Sequence, residues 1–476
     1  MISSEAAPYA KTGGLADAVS ALSKTLTELG HDVKILIPRY YGIDRQQLEL
    51  CKSAVPVSTG FSIISVDFYK DGFTYFVDYE PLFGRDGVYG DKNTPDFYDN
   101  PLRFSVLSRS AFVLCKALNW IPDVIHSHDW AACLTPVLLN YIERPDFPKT
   151  KTLLSIHNQG YQGISEGKCY EQLGLSELLR YKSGLEYYGN INLLKAGIVS
   201  SDAICTVSKT YAQEIQTPEQ GFGLDGLLRI RKDKLFGIVN GADLTEWNPK
   251  TDKYISANYS IKDMSGKAKC KAELQKRFGL PVNPDVPLIG MVGRLASQKG
   301  ISELFAPDSG CIKKIANELN VQIVLVGSGE KWCQEEIQKL SAELPNFKGY
   351  IGYSEDLSHS VEAGSDFFLM PSRYEPCGLN QIYSMLYGTL PIVRSTGGLA
   401  DTVENCNETE KSGTGIKFND LTPEAIFNTV KWALSVYENK PLMKALQKNG
   451  MSQNFSWEKS AQEYVEIYKN LKQHGD

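Results

Sequence analysis

Two cations stand five positions apart at the end of an apolar run. Arg294 and Lys299 lie in Val292-Gly293-Arg294-Leu295-Ala296-Ser297-Gln298-Lys299-Gly300, directly after Pro287-Leu288-Ile289-Gly290-Met291. Arginine offers a planar fork and lysine a mobile point charge, a combination suited to a phosphate or diphosphate. Near the chain start, Lys11 precedes the pair Gly13-Gly14 where a helical pattern begins, and backbone amides at a helix N-terminus receive anions. The pair Gly397-Gly398, after Thr396, repeats that cradle. Concentrated positive charge lowers the barrier to releasing a diphosphate from a sugar, because negative charge develops on the departing group. Glu375 reads as a carboxylate at a helix start after a strand, on the positive side of the helix dipole, where it would hold sugar hydroxyls or balance a cationic carbon. His157, with Asn158, Gly160 and Gly163 behind it, ends another strand. Each feature also has a plainer reading: surface cations, a capping acid, ordinary turns, a histidine satisfied within a loop. His126 and His128 would share one face of a strand, yet no acidic or cysteine partners complete a metal site, so no metal is expected.

The elements that must position these groups alternate. After Met1-Ile2-Ser3-Ser4 comes the Lys11 loop, then a helix with Leu15, Val19, Leu22 and Leu26 at helical spacing that stops at Gly30, then the strand Asp32 to Pro38. The first strand has room for about four residues, short against the usual five or six. Either the chain enters the fold a few residues early or its natural start is missing from this sequence. Residues 55–80 alternate as a strand pair, 83–100 read as a polar, aromatic loop and 103–118 as a helix. The stretches Pro122 to Trp130 and Leu153 to Gly163 are strands ending in His, Asp or Asn, which directs those groups into one crevice. Ala203 to Ser208 and Leu235 to Gly241 complete the first half, the latter ending in the turn Asn240-Gly241. Residues 243–285 are polar and rich in Pro, Asn and Lys, the composition of a crossover between domains. Strands then recur at 287–291, 321–329, 347–353, 366–372 and 391–394, most with glycine following the apolar run, and an amphipathic tail closes the chain. The fold class is therefore α/β, with two doubly wound domains: residues 1–242, the crossover 243–285, residues 286–455, and a terminal helix at 456–476 that packs back toward the first domain. Facing one another, the two sheets would gather Lys11, Arg294 and Lys299 about a central cleft, and closure about the crossover would complete it.

Composition bounds the partners. The 476 residues exceed one ordinary core, and a net charge of -6 with pI near 5.7 argues against a nucleic-acid face. Ten cysteines without a CxxC pair read as free thiols in a reducing compartment. No apolar segment approaches a membrane span, and no signal-peptide pattern opens the chain.

Taken together, Lys11-Thr12-Gly13-Gly14-Leu15, His126-Ser127-His128-Asp129-Trp130, His157-Asn158, Gly293-Arg294-Leu295 with Gln298-Lys299-Gly300, Glu375-Pro376-Cys377-Gly378-Leu379 and Thr396-Gly397-Gly398-Leu399-Ala400-Asp401 resemble the bacterial glycogen synthase and plant starch synthase family, in order and over nearly the whole chain. The resemblance implies a GT-B glycosyltransferase that moves glucose from ADP-glucose to the non-reducing end of an α-1,4-glucan, retaining configuration and using neither metal nor cofactor. It implies a cytoplasmic enzyme, or a stromal one in a plant plastid, with a nucleotide sugar and a glycogen or starch chain as partners and no nucleic acid or membrane. By the same resemblance Lys11, Gly13, Gly14, Arg294 and Lys299 hold the diphosphate, Glu375 contacts the transferred glucose and His157 donates toward its hydroxyls. Asp17, Asn240, Gly352, Tyr353, Cys377, Gly378, Leu379, Thr396, Gly397 and Gly398 border the donor, while Glu5, Asp129, Trp130 and Asn158 line the sugar and acceptor side. Related glycosyltransferases often carry a second Glu eight positions after the first; here Tyr383 stands there, as in the synthases. The alternatives are a retaining glucosyltransferase using UDP-glucose or another acceptor, and a silent glucan-binding protein.

Overall fold

The computed structural model describes residues 1–473. The chain divides into two compact units: Met1–Gly241 with the chain from Trp457 onward, and Ala242–Ser456.

In the first unit two four-stranded sheets are joined through Ile2, which bridges in parallel to Leu36 on one side and Ser127 on the other. From that centre Ile35–Pro38 and Thr74–Asp78 run outward in one direction, and Val124–His128, Lys151–Ile156, Ala203–Thr206 and Leu235–Gly237 in the other, all parallel. Short as it is, the opening segment is hydrogen-bonded on both flanks: Ile2 N to His126 O at 2.9 Å and Ser3 N to Leu36 O at 3.1 Å. Strand order reverses between Ile2 and Val124–His128, which places the loops after these two strands at the switch point where doubly wound sheets bind ligands. The Gly14–Glu28 helix follows the first of those loops and buries Leu15, Val19, Leu22 and Leu26, the residues whose spacing predicts it.

The expected strand pair at 55–80 is three antiparallel strands, Glu49–Ser58, Ile63–Asp71 and Thr74–Asp78. The first escapes the alternation rule because it is an edge strand interrupted by register shifts, with only Val57 buried. The terminal helix Trp457–Gln473 packs in the first unit: Trp457, Ala461, Tyr464 and Ile467 join Leu22, Leu26, Leu153 and Ile238 in one cluster.

The second unit holds one parallel sheet in the order Phe347–Ile351, Gln322–Gly329, Leu288–Leu295, Phe367–Met370, Leu390–Arg394, Ile416–Phe418. In chain order this is 3-2-1-4-5-6, the doubly wound arrangement, with its switch point between Leu288–Leu295 and Phe367–Met370. Residues 243–285, expected as a crossover, belong to this unit. They include the Ser265–Arg277 helix, whose inward face carries Cys270 and Leu274 beside buried Lys267, Lys271 and Gln275. The lysines are tolerated inside because each is fully engaged: Lys267 Nζ donates to Ala363 O, Tyr387 O and Thr389 Oγ1 at 3.0, 3.0 and 2.6 Å, and Lys271 Nζ pairs with Asp366 at 2.7 Å. All ten cysteines are unpaired and all but Cys51 are buried. Among the described residues no helix is long and apolar enough to cross a membrane.

Candidate active-site residues in each unit

In the second unit the sequence-predicted groups collect at the carboxyl ends of four strands. The last residues of Leu288–Leu295 carry Arg294, the turn after that strand carries Lys299, and the loop after Phe367–Met370 carries Glu375. These two segments meet at the switch point: Lys299 Nζ lies 2.5 Å from Glu375 Oε2, and Ser372 Oγ donates to the same oxygen at 3.0 Å. Glu375 is buried and Lys299 partly so, which makes the pair a directed one in a medium that screens it weakly. Backbone stitches fix the two loops together, with Arg373 N donating to Gln298 O at 2.8 Å and Gln298 Nε2 to Tyr374 O at 3.2 Å. Gly300 is required here. Its φ is +74°, and a Cβ on it would stand 2.1 Å from Pro371 O. Arg294 is exposed, its guanidinium 3.3 Å from Gln298 Oε1.

Glu375 does not begin a helix. The helix that follows is Asn380–Leu386, because Pro376 and Gly378, the latter at φ +72°, hold residues 371–379 out of helical geometry. Dipole stabilisation of Glu375 is therefore replaced by Lys299 and Ser372. Gly398 supplies the floor of that loop: its N–H donates to Glu375 O at 3.0 Å, and an added Cβ would meet Cys377 O at 2.0 Å. Thr396, Gly397 and Cys377 are buried against this turn, and Gln381 Nε2 donates to the Cys377 and Gly378 carbonyls. Leu379 caps the Asn380 helix. Gly352 and the exposed Tyr353 follow Phe347–Ile351, with Gly352 N bonded to Gly327 O at 2.9 Å.

In the first unit Lys11 Nζ pairs with Asp17 at 2.9 Å, both partly exposed, beside the uncapped N-terminus of the Gly14–Glu28 helix. Gly13 is exposed, with open space where a Cβ would stand. Glu5, expected on the sugar side, is a buried brace for this loop. It accepts from Thr12 N at 2.5 Å, Thr12 Oγ1 at 2.7 Å and Tyr89 OH at 2.7 Å, so both carboxylate oxygens are engaged within the protein.

Across the switch point, Asp129 adopts φ +55° and its Oδ1 accepts from His157 N at 2.7 Å, coupling the two strand ends. Burial pushes the Asp129 carboxyl up to about 7, offset in part by the backbone amides of His157 and Asn158. Burial likewise holds the His157 imidazole down at about 4, so it is neutral near pH 7. Its Nε2 lies 3.1 Å from His128 Nδ1, an orienting contact that sequence spacing did not reveal. With His128 as donor in that bond, His157 keeps its own proton on Nδ1 and can donate it to a hydroxyl. His126 has both ring nitrogens engaged, with Tyr468 OH at 2.8 Å and Ser155 Oγ at 2.7 Å, and is a core residue. Trp130, expected to line the sugar side, is also core: it is buried edge-on to Phe104 at 5.0 Å and covered by Gly163, whose added Cβ would meet the indole at 2.4 Å. Asn158 is half-buried and its Oδ1 accepts from Gly160 N at 2.9 Å. Asn240 is buried, with no hydrogen-bond partner for Oδ1 among the described residues. Ser372 and Tyr89 were missed from sequence. Ser372, a polar residue at a strand end, carried a signal of the same kind as Asp129, whereas Tyr89 sits in an irregular loop with none.

Known proteins resemble this chain throughout. Residues 1–230 match the family described as starch synthase catalytic domain, and residues 273–453 that described as glycosyl transferases group 1. A glycogen synthase of Treponema denticola is 51% identical, over 98% of this chain and 97% of that protein. Glycogen synthase 1 of Geobacter metallireducens is 43% identical over 98% and 95%. Among solved structures, the catalytic domain of starch synthase IV from Arabidopsis thaliana, bound to ADP and acarbose, superposes with a TM-score of 0.87 at 31% identity, covering 99% of this chain and 98% of that one.

Proposed function

The chain belongs to the starch synthase and glycogen synthase family of GT-B hexosyltransferases, and on that premise we propose that it transfers glucose from ADP-glucose to the non-reducing end of an α-1,4-glucan with retention of configuration. The observation that carries this reading is the Lys299–Glu375 pair at the switch point of the second unit, with Ser372 on the same carboxylate oxygen. Adenine as the base is supported by the ADP held by the Arabidopsis relative. Ten free cysteines favour a reducing compartment such as the cytoplasm.

In the proposed reaction Arg294 and Lys299 stabilise the diphosphate as negative charge grows on it, and Lys11 with the amides after Gly13 serves the same anion. Glu375 and the neutral His157 grip the hexose by its hydroxyls. The bond from the anomeric carbon to the diphosphate oxygen breaks with its electron pair leaving on that oxygen. The acceptor oxygen forms the new bond on the same face, and its proton passes to the departing oxygen. The matched motifs carry no obvious carboxylate nucleophile for the opposite face, which favours this route over a glucosyl-enzyme. No metal or other cofactor enters the proposal.

The test is direct. The protein is incubated with glycogen and labelled ADP-glucose or, separately, UDP-glucose, and label in polymer is counted. Incorporation from ADP-glucose well above UDP-glucose is expected. Faster transfer from UDP-glucose would overturn the donor assignment, and no label from either donor would overturn the activity.

A further inference from the structure

Within the second unit, Glu246, Glu355 and His359 bring one ligand atom each into a group whose members all lie within 4.8 Å of one another. His359 Nε2 stands 3.6 Å from Glu355 Oε1. The imidazole is wholly buried, and Nε2 has no hydrogen-bond partner among the described residues. Its other nitrogen, Nδ1, lies 2.7 Å from Asp252 Oδ2, a carboxylate that also accepts from Tyr387 OH at 2.5 Å and, through Oδ1, from Tyr254 N at 2.8 Å. With Asp252 taking the Nδ1 proton, Nε2 presents a lone pair toward two carboxylates. A buried imidazole nitrogen without a hydrogen-bond partner, facing two carboxylates, is a set of ligand atoms that a cation between them would satisfy.

We propose that Glu246, Glu355 and His359 form a binding site for a divalent transition-metal ion of the zinc class. One neutral imidazole and two carboxylates suit zinc, cobalt or manganese, and two negative charges balance a dication. Zinc bonded at about 2.0 to 2.2 Å in a tetrahedron has its ligand atoms about 3.3 to 3.6 Å apart, which spans the Nε2 to Oε1 separation. Three protein ligands leave a fourth position for water. The outer shell is built as such sites require: a carboxylate fixes the tautomer of the ligating histidine, Tyr353 OH donates to the other oxygen of Glu355, and Trp247 stacks on the imidazole at 3.8 Å and 10°. Glu355 and His359 are one turn apart on the Glu355–Gly364 helix, whereas Glu246 lies in the turn that opens the unit. The ion would therefore clip that turn to the helix. This goes beyond the proposed transferase activity and does not depend on it.

The full-length protein, stripped with EDTA and dialysed, is titrated with zinc chloride by calorimetry and with cobalt chloride by visible absorption. One ion per chain is expected, with a cobalt ligand-field band and an increase in Tm of several degrees at saturating zinc. Glu246→Ala, at an exposed position that spares folding, and Glu355→Gln should each weaken zinc binding at least tenfold and abolish the Tm increase. Absence of binding up to millimolar metal would overturn the proposal. Binding with unchanged affinity in both variants would place the ion elsewhere and overturn it equally.

Discussion

Lys299 Nζ and Glu375 Oε2 lie 2.5 Å apart, joining the loops that follow the first and fourth strands of the second-unit sheet. Removing the lysine leaves a buried carboxylate held, among the described residues, by the Ser372 hydroxyl. Lys299→Ala should cost on the order of 2 kcal/mol of stability and lower kcat about 100- to 1,000-fold. Arg294→Ala, at an exposed position, should lower kcat similarly while leaving the urea midpoint nearly unchanged. Normal turnover in both variants would remove the diphosphate assignment.

Two glycines separate catalytic from structural necessity. A Cβ at Gly13 meets nothing within 4 Å, whereas one at Gly398 meets Cys377 O at 2.0 Å. Gly13→Ala should keep the parent Tm and raise the donor KM. Gly398→Ala should lower Tm and kcat together, because it pushes the Glu375 loop from its floor. Equal Tm values for the two variants would contradict this division.

Trp130 allows packing and sugar contact to be told apart. As a core residue its truncation to Ala should destabilise the first unit by about 3 to 5 kcal/mol. A Trp130→Ala protein of parental stability with a weakened glucan KM would restore the ring to the acceptor site.

The histidine and aspartate at the first-unit switch point titrate in opposed senses. His157 is held down at about 4 by burial, so between about 4 and 6.5 the unfolded chain binds a proton the native chain lacks. Its contribution to stability is present above 6.5 and is lost as pH falls toward 4. Burial depresses His126 and His128 as well, with the same sign. Asp129, raised to about 7, keeps a proton that the unfolded chain releases near 4, so its contribution falls as pH rises across that window. Within the first unit the three histidines and the Met1 amino group, held down at about 5 by burial, outweigh Asp129 and the raised Asp96, which predicts a net gain in that unit's urea midpoint from pH 4.5 to 6.5. The gain should be flatter in His157→Asn and steeper in Asp129→Asn, and an unchanged slope in both would show that neither group is shifted.

The strand ends were legible because a doubly wound sheet writes itself as apolar runs closed by glycine, and the groups after those runs are the ones the fold gathers. Lys299 and Glu375 were both identified from sequence, but their direct pairing was not, since it joins loops 76 positions apart. The Glu375 helix start failed because Pro376 and Gly378 outweigh the helical pattern that resumes at Asn380. The 243–285 stretch misled for a different reason. Its Ser265–Arg277 helix buries lysines, and a hydrophobic-periodicity rule has no means of seeing a charged side chain whose partners lie about a hundred positions away. Glu5 and Trp130 carry residue types that occur at sugar sites, and their bonds to Thr12 and Tyr89 and packing on Phe104 could not be read from the sequence.

The terminal helix Trp457–Gln473 bears on how the chain is made. Its Tyr468 hydroxyl is bonded to His126, and Ser460 Oγ donates to Val239 O at 2.6 Å, so it closes a core whose other members leave the ribosome more than two hundred residues sooner. During synthesis Leu22, Leu26 and Ile238 must wait, uncovered, until the whole second unit has been translated. The first half expressed alone would therefore carry a lasting sticky face, and supplying the helix as a separate peptide should be enough to make it soluble.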